Sequence, residues 1–105
     1  MTIFEFELRA KTAFPRINFS QPKVDNNYRY EITSEDPHTM ITWDKSNRTW
    51  NVRIGLGLVR YESSCLSIGE ARAEVEATIT NDIRRRQELL SKVGAFGDDC
   101  FAEIQ

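Results

Sequence analysis

Residues 40–65 read MITWDKSNRTWNVRIGLGLVRYESSC and residues 66–93 read LSIGEARAEVEATITNDIRRRQELLSKV. The change of period between these two stretches decides the fold. In the first, apolar residues alternate. Ile41 and Trp43 fall on one face of a strand, and Trp50, Val52 and Ile54 on one face of the next. Between them lies the short polar run 44–48, which suits a hairpin loop. The pairing sets the two indoles across from each other, a contact that contributes about 0.2–1 kcal/mol and helps fix the register. Gly55-Leu56-Gly57 reads as a corner. Residues 58–63 read as a further strand, with Val59 and Tyr61 on one face and Leu58, Arg60 and Glu62 on the other. In the second stretch Ser67 and Glu70 form a capping box. Ile68, Ala71, Val75, Ile79, Ile83 and Leu90 then recur at helical spacing, and Gly94 reads as a left-handed stop. Acids at the helix start and Arg84, Arg85, Arg86 and Lys92 near its end suit the macrodipole.

Upstream, residues 2–9 alternate apolar and polar. They predict a strand with Phe4, Phe6 and Leu8 on one face. Pro15 keeps residues 14–19 off a central strand position, and residues 21–27 form a polar connection. Residues 28–32 predict another strand with Tyr28, Tyr30 and Ile32 inward, and residues 34–38 predict a turn. The expected fold class is α+β, an antiparallel sheet of four to five strands packed against one long C-terminal helix. The organisation expected is a single domain over 1–105. It divides into N-terminal strands and loops (1–38), a hairpin sheet (39–66), a helix (67–93) and an acidic-aromatic tail (94–105).

A chain of 105 residues with 29% charged residues and a net charge of −2 is ordinary for a soluble globular domain. That balance argues against coating nucleic acid through bulk charge. No stretch is apolar enough for a signal peptide or a membrane helix, so the expected location is the cytoplasm with no membrane contact. Two cysteines, Cys65 and Cys100, are too few for a disulfide scaffold and are expected to be reduced. Gly55 and Gly57 lack the third glycine and the following helix of a phosphate loop. His38 is the only histidine and has no cysteine at ligand spacing, and nothing marks a nucleophilic pair with Cys65. The sequence therefore points to a non-enzymatic protein with no cofactor and no metal.

Charge is distributed unevenly. Residues 39–67 carry Lys45, Arg48, Arg53 and Arg60 against Asp44 and Glu62, while residues 94–105 carry Asp98, Asp99 and Glu103 and no base. The Trp-x-Val-x-Ile strand and the Ser-Ile-Gly-Glu-Ala-Arg helix start, within residues 41–77, resemble in architecture the DNA-binding module of AP2-type factors and some integrase N-terminal arms. The resemblance implies a DNA-binding accessory protein that reads duplex with the sheet face. The residues in question are Thr42, Lys45, Arg48, Asn51, Arg53 and Arg60, whose types suit phosphates and base edges.

The leading expectation differs. At ~1.5 Å per residue the helix spans about 39 Å, against about 17–20 Å for strands of five or six residues. One end must overhang the sheet. That end carries Leu89, Leu90 and Val93 beside Arg85 and Arg86, and the tail adds Phe96 and Phe101. These seven residues are the expected partner surface, for another protein or for a second copy in a homodimer. The chain then reads as a small regulator or inhibitor of the kind phages and mobile elements encode.

Overall fold

The computed structural model describes the backbone of residues 1–26 and 28–104, and the side chains through Gly94 with Asn27 excepted. A helix, α1 (Ile3–Ala13), precedes five strands, β1 (Lys23–Asp25), β2 (Arg29–Glu35), β3 (His38–Asp44), β4 (Thr49–Leu56) and β5 (Val59–Cys65). A long helix, α2 (Ile68–Ile104), follows. The strands form one antiparallel meander in the order β1-β2-β3-β4-β5. The fold is α+β, a five-stranded antiparallel sheet packed against a long C-terminal helix.

The strand expected over residues 2–9 is α1. The Thr2 hydroxyl accepts from the Glu5 amide at 3.1 Å and caps the first turn, as N-cap threonines do. Ile3, Phe6, Ala10 and Phe14 are the residues turned to the core. Their spacing of three, four and four is helical. Over eight residues a period of two and a period of 3.6 share several positions, and Phe4 and Leu8 fitted only the wrong one. The fifth strand is instead β1, inside the stretch expected to be a polar connection.

Strands β2 to β5 turn alternate residues to the helices. Tyr30, Ile32, Ile41, Trp50 and Val52 are buried with Phe6, Ala10, Ala71 and Val75. Tyr28, expected inward, is exposed and lies before β2. The expected indole pairing is present, since Trp43 is the register partner of Trp50. Each ring nonetheless stacks on a different neighbour, Trp43 on Tyr30 (5.8 Å) and Trp50 on Phe6 (5.4 Å). The β3–β4 turn is set by Asp44, whose Oδ1 accepts from the Ser46 and Asn47 amides. The β4–β5 turn places Gly57 at φ 61°, a conformation glycine adopts at no steric cost.

The Ser67 half of the expected capping box forms, with the Glu70 amide donating to Ser67 Oγ at 3.1 Å. Gly94 does not stop the helix. Its backbone is helical, and α2 continues to Ile104. A helical glycine costs only about 1 kcal/mol relative to alanine, and no proline follows to enforce a break. The segment expected as a separate tail over 94–105 is therefore, through Ile104, more of α2. The molecule measures 66 × 23 × 22 Å with a radius of gyration of 19.0 Å, against about 13 Å for a compact chain of this length.

Candidate functional site

α2 divides by what lies under it. Ile68, Ala71, Val75 and Ile79 pack on the core. Two hydrogen-bonded contacts then clasp the helix to β5. The Ser63 hydroxyl donates to Glu74 Oε2 and lies 3.5 Å from Cys65 Sγ. About two turns further on, Tyr61 Oη donates to Asp82 Oδ2 at 2.6 Å, and Arg86 pairs with the same carboxylate at 3.4 Å. No local pattern of residues announces this clasp. Its one trace is that Tyr61, Ser63 and Cys65 share the inward face of β5, where buried polar atoms need partners.

The clasp shifts the titration of Glu74 and of Cys65. The Ser63 hydroxyl, then the Cys65 thiol, holds the Glu74 carboxyl below its usual value. Ser63 acts on Cys65 in the lowering direction, but burial and the Glu74 charge outweigh it, and the thiol is pushed up. Cys65 is thus a poor source of thiolate at neutral pH. It is also far from His38, which pairs with Gly55 at the other end of the ladder while Cys65 pairs with Trp50. A pH dependence follows. A depressed carboxyl contributes stability above its ordinary pKa of 4.5 that is lost as pH falls through the folded value. Ser63→Ala is therefore expected to lower the melting temperature at pH 6. The gap to the parent should narrow on acidification below about pH 4.5. A gap that stays constant across that range would remove Glu74 from the account.

Beyond Asp82 the helix leaves the sheet. Ile83, Leu89, Leu90 and Val93 are between 51% and 69% exposed. Arg84 donates to Asn81 at 3.0 Å. Arg85 sits over a cleft shared with Arg60, Tyr61 and Asp82. Of the seven residues expected at this end, the structure places Arg85, Arg86, Leu89, Leu90 and Val93 on the projecting segment. The side chains of Phe96 and Phe101 lie outside the described residues. The 22 residues from Ile83 to Ile104 span about 33 Å of helix.

The second candidate is the face of the sheet away from the helices. Thr42, Asn51, Arg53 and Arg60 share it by register, as expected, and the first three line a shallow depression with Arg29, Met40 and Glu62. Lys45 and Arg48 do not. Lys45 Nζ lies 4.6 Å over the Tyr30 ring on the helix side, and both turn residues border Met1, Glu5 and Arg9 of the α1 end. The four-residue turn curls toward α1, which sequence spacing could not show. Two arginines of this face are also matched by acids. Arg53 pairs with Glu62 at 2.9 Å and Arg29 with Asp25 at 2.8 Å. By register the face holds Lys23, Arg29, Arg53 and Arg60 against Asp25, Glu31, Glu35, Asp44 and Glu62.

Among the described residues no three His, Cys, Asp or Glu side chains are placed to hold a metal ion. No helix among them is long and apolar enough to cross a membrane. No protein-family model matches the chain, and neither a curated protein nor a solved structure matches it.

Proposed function

We propose that this chain is a non-enzymatic protein-binding module of the cytoplasm. It acts as a regulator or inhibitor of the kind phages and mobile elements encode, and it docks through the projecting end of α2. One observation carries the reading. Four large apolar side chains, Ile83, Leu89, Leu90 and Val93, stand more than half exposed on a helix that has run past its sheet. Apolar area left in water is unfavourable by roughly 25 cal/mol per Å². Contiguous exposed patches of this kind mark interaction surfaces.

The DNA reading has less support. Counterion release scales with the number of phosphates a protein neutralises. On the sheet face each of the two central arginines already has a carboxylate within 3 Å, and the acids there outnumber the bases.

The test is retention of host components on the immobilised full chain, with protein and nucleic acid both assayed. Leu90→Glu is expected to reduce retained protein at least tenfold, while Arg53→Ala leaves it unchanged. Leu90 is 69% exposed, so the variant should keep its fold. If the retained material is nucleic acid that elutes with salt and is lost in Arg53→Ala, the sheet face is the working surface. If Leu90→Glu retains protein as the parent does, the docking site lies elsewhere.

A further inference from the structure

We propose that the projecting half of α2 pairs with the same segment of a second copy, in antiparallel register over residues 86–103. The inference rests on the reading of that end as a docking surface and names its occupant.

The stripe that covers the sheet does not end with the sheet. Val75 and Ile79 pack on the core and Asp82 bonds to β5. The same alternation of four and three residues then runs on through Arg86, Leu89, Val93, Phe96, Cys100 and Glu103. That alternation is the seam of a two-helix coiled coil. All of these positions lie within α2. On the described part of the seam Leu89 and Val93 are exposed, and the Arg86 side chain is 64% exposed.

Charge order selects the occupant and its direction. The seam is basic at its first position, Arg86, apolar through Leu89, Val93 and Phe96, and acidic at its last, Glu103. An antiparallel pair places each first-position layer of one helix against a fourth-position layer of the other. The register that matches both ends sets Arg86 against Glu103, Leu89 against Cys100, and Val93 against Phe96. Two-fold symmetry repeats each layer, so six layers form from one surface and nothing is left over to propagate. A parallel pair would stack Arg86 on Arg86 and Glu103 on Glu103. Arg85 and Asp99, each one residue before a seam position, repeat the same polarity beside the seam, basic before the apolar centre and acidic after it. A segment whose two ends are opposite in sign is complementary to itself only when reversed. The Arg86–Asp82 pair at 3.4 Å is a solvent-exposed contact of small worth, so Arg86 is available to a partner.

The experiment is sedimentation equilibrium of the full chain in reducing buffer, with circular dichroism confirming each variant's fold. The parent is expected to show a reversible monomer–dimer equilibrium. Arg86→Glu and Glu103→Arg should each weaken it about tenfold or more, since each places like charges together at both ends. The two changes combined should return it to within about threefold of the parent. A parallel pair would show no such rescue, because each end would still face its own kind. Leu89→Glu should leave a folded monomer. A parent that is monomeric up to about 100 μM overturns the proposal, and so does a double variant no better than the single ones. If the monomeric parent still retains a host protein through Leu90, the docking reading stands and its occupant is foreign. If it retains none, both readings fall.

Discussion

Trp50→Ala is expected to destabilise the fold by about 3–5 kcal/mol, lowering the melting temperature by about 15 °C or more. The indole is 2% exposed and joins three elements. It stacks on Phe6 of α1 at 5.4 Å, and in the ladder it stands between Trp43 of β3 and Cys65 of β5. Removing it opens a cavity that rigid strands on both sides cannot close. Trp43 is only partly buried, so Trp43→Ala should cost roughly half as much. Urea denaturation followed by far-ultraviolet circular dichroism measures both. A Trp50→Ala variant that melts within about two degrees of the parent would put the indole outside the core. It would then be a surface for stacking against bases.

The sheet was legible because its evidence is local and repeated. Ile41, Trp43, Trp50, Val52 and Ile54 keep strict alternation, and Asp44 at the loop supplies the side-chain oxygen that closes the turn. The start of α2 was legible for a similar reason, because Ser67 and Glu70 make a short-range cap. Its end was not. A glycine after a periodic run stops a helix only if it takes a left-handed backbone, and nothing in the residues around Gly94 states which backbone it takes. The site was legible in part. The overhang follows from helix length against strand length, both readable by counting. The clasp of Ser63, Tyr61, Glu74 and Asp82 depends on which residue of β5 lies under which turn of α2, a matter of three-dimensional register. The nucleic-acid face failed at Lys45 and Arg48 because a hairpin turn can curl toward either side of its sheet. Here the Tyr30 ring draws Lys45 to the helix side.

Phe6 offers the sharpest test of the element the alternating pattern misassigned. In a strand, Phe4, Phe6 and Leu8 would share a face and respond alike to truncation. In α1, Phe6 is 0% exposed and Phe4 79%. Phe6→Ala is therefore expected to cost about 3–5 kcal/mol, and Phe4→Ala no more than about 0.5 kcal/mol. Phe6 stacks on Trp50 and lies 5.6 Å from the Tyr30 ring, so its loss should uncouple α1 from both β2 and β4. Equal costs for Phe4 and Phe6 in chemical denaturation would restore the strand. The asymmetry also bears on the projecting helix. α1 covers the part of the sheet that the first turns of α2 leave open, and Phe6 and Ala10 join Ala71 and Val75 in one core. The exposure of Leu89, Leu90 and Val93 follows from the length of α2 beyond the sheet, and α1 leaves it untouched. A Phe6→Ala variant should lose stability without losing the association that the end of α2 provides, provided it is studied below its melting temperature.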